Sequence, residues 1–541
     1  MNLDRLPYFS RRQPVLATNG AVATSQPLAA QAGLDVLRAG GNAVDAALAT
    51  AIALTVVEPT SNGIGGDLFA IVWDGSKLHG LNSSGRAPRA LDAGRLRGLG
   101  HAQMPELGWL PVTVPGIPAG WQALHERFGR ADRERVYRAG VDYARDGFAV
   151  SPVVADSWAR YLEKIDDPSR TAELGPQLAG WRAAFTRDGR TPATGDRWRL
   201  PDHARTLETL GREGADAFYT GPLAAAIVEF AGRTGGHLTA DDLAAHRADW
   251  VEPIGVPYRG CEVWEIPPNG QGIAALMGLS ILEGFDLAAL PHVSVENWHL
   301  EMEAMKLAFA DTHRHVADPG FSDVPVAAML SPGYASARRA LVGERALARE
   351  PGDLPAGGTV YLCTADRDGM MVSLIQSNYH GFGSGIVVPG TGIALHNRGL
   401  GFTLEEGHAN VYAPGKRPFH TIIPAFLTRG GRPVGPFGVM GAPMQPQGHI
   451  QVVVGTLDHG LNPQAVLDAP RWRVLDGLDA VIESAAGPGV RSGLEARGHR
   501  LMPPDPSETY QFGRGQIIWS LEDGVYAAGS DPRADGLVAA W

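Results

Sequence analysis

Apolar and polar positions alternate along this chain with two different periods. Residues 27–39 (PLAAQAGLDVLRA) keep helical spacing, with Pro27 near the start and Gly40-Gly41 past the end. Asn42 is placed to cap a second helix over 43–56, which is apolar nearly all round and is therefore predicted to be buried. Before them, residues 16–24 (LATNGAVAT) read as a strand, an Asn-Gly turn and a second strand. After them, Pro59 and the loop 60–66 lead into a strand over 68–73, and Asp74-Gly75 turns it into the next one. Residues 116–250 are mainly helical in pattern, with polar loops. A strand at 261–266 runs into a Pro-Pro-Asn-Gly-Gln-Gly loop. Residues 294–316 form an amphipathic helix, with Ser294 as its cap and Asn297, not Glu, three residues on.

The texture changes at 335–358. This segment starts helical and ends charged and Pro/Gly-rich, the composition of an exposed, protease-accessible linker. Beyond it the period becomes that of strands: 359–365, 370–377, 422–428, 434–440, 515–520 and 524–528, with helical stretches near 447–458 and 463–467. Strands with helices before and between them predict a layered α/β or α+β core. No internal repeat is evident.

Composition narrows the possibilities. At 541 residues the chain has room for two to four domains or for one large layered core, and 44% apolar content is enough to fill it. Net charge is −11 with no basic block, which argues against nucleic acid and anionic membrane as partners. Two cysteines, Cys261 and Cys363, are too few for a disulfide framework or a Cys-rich metal site and read as small buried hydrophobes. No apolar leader of secretory type and no run near ~18 apolar residues is present, so the cytoplasm is the expected compartment.

The candidate chemistry sits where the texture changes. Thr359 follows Gly357-Gly358 and opens the strand TVYLCTAD. Cleavage of the Gly358–Thr359 bond would free an α-amino group on a residue that already carries a hydroxyl, giving nucleophile and base together. Such an amine has a reference pKa of roughly 7.7–8.0. The bland alternative is a Gly-Gly turn into a strand. The turn signal Asp366-Arg-Asp-Gly369 then folds this strand onto the next. If the turn centres on Arg367-Asp368, Thr359 faces Gln376 with Ser377 diagonally adjacent, and a one-residue bulge would make Ser377 the direct partner. Either register brings a second hydroxyl to Thr359.

Other motifs are weaker. Gly381-Phe-Gly-Ser-Gly385 lacks the context of a dinucleotide loop. The Gly-rich end of a strand at Gly438–Ala442 can aim two N–H groups at one point, or can be an ordinary tight turn. No G-x-S-x-G elbow and no H-E-x-x-H motif occurs. His313 and His315 lie on different helix faces, and His299 with Glu303 reads as a surface pair, so no metal is expected. His420-Thr421 is placed either to line a pocket or to be structural.

Taken in order, a set of short motifs resembles the γ-glutamyltranspeptidase family of N-terminal nucleophile hydrolases over most of the chain. They are Ala29–Asp45 with its Gly-Gly-Asn-Ala-Val-Asp, Glu58-Pro59, Gly63-Ile-Gly-Gly66, Pro267-Pro-Asn-Gly270, Ala308-Phe-Ala-Asp311, Thr359–Asp366, Gly383-Ser-Gly385, Gly415-Lys-Arg-Pro418 and Asp531-Pro-Arg533. The resemblance implies a four-layer αββα sandwich and self-cleavage before Thr359. The products would be a large piece (1–358) and a small catalytic piece (359–541) that form one core as a heterodimer, with further dimerisation open. It makes Thr359 the nucleophile, Ser377 its hydroxyl partner and Gly441-Ala442 the oxyanion hole, with no cofactor.

The substrate shell departs from the family. The Arg that grips the substrate carboxylate falls on Ser84, with Arg86 two residues away. The acid that holds the α-amino group falls on Gly401, the Gln beside it on Arg398, and the Ser-Ser pair on His420-Thr421. Val360 stands where transpeptidases usually carry a second Thr, and Tyr379 completes the substrate-facing candidates. An ammonium left without its acid loses about 1.5–3 kcal/mol. These residues predict an amide hydrolase for a small molecule, with hydrolysis favoured over transfer. The substrate is expected to be a γ-glutamyl amide such as glutathione. Alternatives are an oxamate-type amidohydrolase, a cephalosporin-type acylase, or an inactive ligand-binding scaffold.

Overall fold

The computed structural model describes residues 12–172, 174–348, 358–505 and 511–541. Gly357 and the linker from residue 349 onward lie outside the described residues, as does the N-terminal stretch up to Arg11.

Two seven-stranded antiparallel sheets form the centre. The first runs, in spatial order, Val15–Ala17, Tyr526–Ser530, Arg514–Ser520, Arg432–Met440, Ala425–Arg429, Cys261–Glu265 and Ile254–Tyr258. The second runs Leu537–Ala540, Gly20–Thr24, Gly358–Asp366, Met371–Tyr379, Asp67–Trp73, Leu78–Ser83 and Asp249–Val251. Side chains alternate across each strand, and the alternation builds the layers. Tyr361, Cys363, Ile375, Phe69 and Ile71 of the second sheet meet Phe426, Met440 and Ile518 of the first in a core between the sheets. The intervening Val360, Leu362, Val372, Leu374, Leu68 and Ala70 bury instead against helices that include Ala43–Val57, Ile117–Phe128 and Arg133–Asp146. On the far side, Val263, Leu427, Phe437, Val439 and Ile517 bury against Gly272–Leu282, Val295–His315 and Met444–Leu457. The fold is therefore a four-layer αββα sandwich.

The all-apolar helix Ala43–Val57 is buried along its whole length, as its pattern predicts. Asn42 and Asp45 form a reciprocal capping box. Asp366 accepts the Ala43 N–H at 2.8 Å and ties this helix to the end of the Thr359 strand. Residues 116–250 are mainly helical, with loops between the helices and short strands at Phe148–Ala149, Arg197–Trp198 and, at the end, Asp249–Val251.

One expectation fails. Residues 16–24 contain two strands but no hairpin. Val15–Ala17 pairs with Tyr526–Ser530 in one sheet, while Gly20–Thr24 lies between Leu537–Ala540 and Gly358–Asp366 in the other. The backbone N–H groups of Thr18 and Asn19 are taken by the Trp541 carbonyl, so the Asn-Gly step carries the chain between layers. Local turn chemistry was right about a break and silent about partners.

Candidate active site

The Thr359 hairpin closes with a three-residue loop. Asp366 N–H donates to Met370 O at 3.1 Å, and Gly369 has φ +86°. This is one residue longer than a turn centred on Arg367-Asp368, and it shifts every pair by one: Cys363 faces Ser373, Tyr361 faces Ile375 and Val360 faces Gln376. The same register sets Thr359 opposite Ser377, and a bulge just beyond it carries Gly358 onto Tyr379. The hydroxyls of Thr359 and Ser377 stand 3.1 Å apart, both fully buried. Register decides this meeting, because a slip of one residue sends a side chain to the other face. Gln376 shows the consequence: it points to the helical layer, where it donates to Ala51 O and Asn62 and accepts from Trp121. Thr359 and Ser377 share the parity of Tyr361 and Ile375, which face the other sheet.

Across that gap, the Tyr361 ring lies against Gly438, where a Cβ would come within 2.5 Å of it. Three residues on, past the end of the Arg432–Met440 strand, comes the Gly441-Ala442 turn, with φ +132° and +51°. Neither N–H of this pair is taken by a backbone acceptor among the described residues. An Ala in the left-handed region costs about 1–2 kcal/mol, so the turn is held by its surroundings. Gln271 does part of this by donating to both Ala442 O (2.9 Å) and Thr421 O (2.7 Å).

A second strained residue lies on the other side of the hydroxyl pair. Tyr379 has φ +76°, and its N–H donates to Ser377 Oγ at 2.7 Å. Its ring carries the Arg398 guanidinium at 4.2 Å. Arg398 donates through Nη1 to Thr421 Oγ1 at 2.9 Å. The contacts thus link an open ring of residues: Thr359, Ser377, Tyr379, Arg398, Thr421, Gln271 and Ala442. Several buried polar atoms here have no partner among the described residues, among them Tyr379 Oη, Arg398 Nη2, Gln271 Oε1 and Gln445 Nε2. Buried polar groups are normally satisfied, so these atoms are open to a further polar partner.

Sequence reasoning missed the anchor of the ring, Asp67. Its Oδ2 receives Arg398 Nε at 3.2 Å and His420 Nε2 at 3.0 Å and lies 3.1 Å from His396 Nδ1, while its Oδ1 receives the Gly85 N–H. Burial opposes ionisation of this carboxyl, but its imidazole neighbours outweigh burial and hold it well below the usual carboxylate range. Burial pushes the His420 pKa down to about 3, so this imidazole is neutral at pH 7. The available signal was a lone acid heading an otherwise apolar strand, Asp67–Trp73.

The remaining candidates divide. Gly401 cannot take a side chain, because a Cβ there would sit 2.3 Å from Phe419 O. Ser84 is buried and donates to Asn82 Oδ1 at 2.7 Å. Arg86 is not drawn into the ring; it donates to Asp318 at 3.3 Å and to Gly415 O at 3.2 Å, with its side chain 42% exposed. His299 and Glu303 are not a surface pair: both are fully buried, His299 against His499 at 2.9 Å and Glu303 against Lys306. The helix carrying them is covered by the 343–347 segment, which the helical period alone does not show. A cleft of about 610 Å³ opens beside the ring at Gly401 and Pro443, with Met104, Phe309, Phe402 and Phe419 among its walls. Among the described residues no helix is long and apolar enough to cross a membrane.

The family profile described as Gamma-glutamyltranspeptidase matches residues 29–541. The chain belongs to the γ-glutamyltranspeptidase family. It is 34% identical over 540 residues to the glutathione hydrolase-like YwrD proenzyme of Bacillus subtilis, covering 96% of this chain and 98% of that protein. It is 32% identical over 542 residues to the oxamate amidohydrolase proenzyme of Klebsiella pneumoniae, covering 97% and 99%. Among solved structures, a cephalosporin acylase from Bacillus halodurans superposes with TM-score 0.94 at 49% identity, covering 100% of this chain and 99% of the other. These three relatives, under three different names, each align along nearly the whole chain.

Proposed function

We propose that the protein is a self-processing amide hydrolase in which Thr359 is the nucleophile. The observation that carries this reading is the Thr359–Ser377 hydroxyl pair, 3.1 Å apart on the inter-sheet face, with the Gly441-Ala442 turn just past the end of the central strand of the facing sheet. In processing, Thr359 Oγ1 attacks the Gly358 carbonyl, the acyl group moves from nitrogen to oxygen, and water hydrolyses the ester. The products are a Gly358 carboxylate and a free Thr359 amine. In turnover the amine takes the hydroxyl proton as Oγ1 attacks the substrate carbonyl, and the Gly441 and Ala442 N–H groups receive the oxyanion. The C–N bond breaks, the amine product leaves with the proton, and water releases the acid. Ser377 positions the Thr359 hydroxyl.

Cleavage would not separate the pieces. Strands from 1–358 and from 359–541 occupy both sheets, and the Thr359 strand is itself paired with Gly20–Thr24. A heterodimer is the expected product.

The substrate is a small amide bearing a carboxylate. The expectation of γ-glutamyl amides such as glutathione is supported by the family and by the YwrD relative. The oxamate amidohydrolase and cephalosporin acylase relatives support other carboxylate amides. Hydrolysis is favoured over transfer because the shell around Arg398 and Gly401 is rebuilt. Denaturing electrophoresis tests processing: bands near 38 and 19 kDa are expected, the shares of 57.3 kDa that fall to residues 1–358 and 359–541. A single full-length band overturns self-processing. Strong acceleration of γ-glutamyl anilide turnover by glycylglycine overturns the preference for hydrolysis.

A further inference from the structure

We propose that His299, Glu303 and His499 form a binding site for one divalent transition metal ion of the zinc type, and that the ion joins the two pieces of the processed chain. The site itself stands whether or not the chain is cleaved. The joining of separate pieces rests on cleavage before Thr359.

His299 and Glu303 stand one turn apart on one face of the helix Val295–His315, in the layer that covers the first sheet. His499 comes from the other side of the cleavage point, between the helix Pro488–Ala496 and the short strand Arg500–Leu501. All three are buried, and a donor atom from each lies within 4.8 Å of the other two. The His299 imidazole is already set as a ligand. Its Nε2 lies 2.8 Å from the Gly343 carbonyl, which can only accept, so Nε2 carries the proton and Nδ1 presents a bare lone pair. Metal-bound imidazoles are held in this way, the second nitrogen donating to a carbonyl or carboxylate. The bare Nδ1 stands 2.9 Å from His499 Nε2. A zinc-type ion takes imidazole nitrogens at about 2.0–2.1 Å, so two nitrogens at this spacing subtend roughly 90° at the ion, and widening the pair by about 0.4 Å reaches a tetrahedral angle. Without metal, His499 Nε2–H donates to His299 Nδ1. Binding moves that proton to His499 Nδ1, which has no partner among the described residues, and frees both lone pairs for the ion.

Glu303 supplies the third ligand. Its carboxylate is oriented by Lys306, which pairs with it and also donates to Leu347 O at 3.2 Å, and by the Leu347 N–H at 3.3 Å. The Lys306 ammonium also sets a limit, because it repels a divalent ion beside it. The expected affinity is therefore micromolar, short of a closed four-ligand structural site. Two imidazoles and one carboxylate favour a zinc-type ion over Mg2+ or Ca2+, which take oxygen shells, and they leave a fourth position for water. Bound there, the ion ties residues 1–358 to 359–541. Through Gly343 and Leu347 it also fixes the segment that leads toward the cleavage point.

Metal titration of untagged wild-type protein, stripped with EDTA and dialysed, tests this. ZnCl2 should bind as one ion per molecule with micromolar Kd, and MgCl2 or CaCl2 should not compete. Zinc at about 100 times Kd should raise Tm by about 2 °C. His499→Phe, which fills the space without offering a ligand, should weaken zinc binding more than about tenfold and lose the shift in Tm. X-ray absorption at the zinc edge of the wild-type protein needs no variant, should His499→Phe fail to fold; it should show two imidazoles and one carboxylate oxygen. No zinc uptake by stripped wild type, equal affinity in His499→Phe, or a zinc shell with fewer than two imidazoles overturns the site. Electrophoresis of the same sample separates the two readings: a single full-length band that binds zinc keeps the site and removes self-processing, and two bands that bind no zinc do the reverse.

Discussion

The hydroxyl pair and the Arg398 shell lie on opposite sides of Tyr379 and are built by different means. Thr359 and Ser377 stand on adjacent strands, and their meeting follows from loop length and strand parity. The shell gathers Asp67 from a strand end, Arg398 from a short helical turn and His420-Thr421 from an irregular segment, and a buried carboxylate holds them together. A strand pair can move only in steps that reverse a side chain's face, so the two hydroxyls placed there are difficult to alter by degrees. Loop residues around an ion pair can be exchanged one at a time.

The sharpest way to break the comparison is at the strands. Thr359→Ala should abolish both processing and amide turnover, giving a single band at 57.3 kDa; persistent cleavage would put the chemistry elsewhere. In the shell the largest effect is on folding. Asp67→Asn leaves the buried Arg398 charge unpaired and should cost about 3–5 kcal/mol, read by chemical denaturation. A loss below about 1 kcal/mol would mean that the shell does not depend on this carboxylate.

Smaller effects sharpen the contrast. Gly401→Asp should not restore binding of an ammonium; it should cost about 1–3 kcal/mol because the Phe419 carbonyl must move. A stable variant with improved γ-glutamyl turnover would refute this. Ser377→Ala removes the acceptor for the Tyr379 N–H and the partner of Thr359, and should slow processing and turnover about tenfold while preserving the fold by circular dichroism. Undiminished rates would leave Ser377 a purely structural residue.

The smallest effect concerns pH. The folded pKa of His420 is depressed to about 3 by burial, from an unfolded value near 6.5. Its contribution is therefore present above 6.5 and is lost as pH falls from there toward 3. The stability advantage of wild type over His420→Asn should shrink over that window, as measured by thermal melts at successive pH values. An advantage that grows on acidification would show His420 to be charged in the fold.

Much of the molecule was legible in the chain. The Ala43–Val57 helix, the Val295–His315 helix with its Ser294 cap and the strands after 358 follow from period and capping residues. The strand said to begin at 422 starts at Ala425, just past Pro424, whose missing N–H keeps the preceding residues out of the ladder. The site was half legible. Loop and strand lengths put a hydroxyl beside Thr359, but Asp67 went unnoticed, because its side-chain partners Arg398, His420 and His396 lie more than 300 residues away. Arg86 was drawn toward the site by its position in sequence, and in the fold it turns to Asp318.

By itself, then, the sequence determined the elements, the hairpin and the residue types available for chemistry, since these depend on neighbours a few positions apart. The tertiary structure decided which faces meet: that Val15–Ala17 and Gly20–Thr24 part into different sheets, that Arg398 spends two nitrogens on Asp67 and Thr421, and that Gly401 has no room for an acid. Each of these is a contact between segments far apart in the chain, fixed by burial and charge in three dimensions.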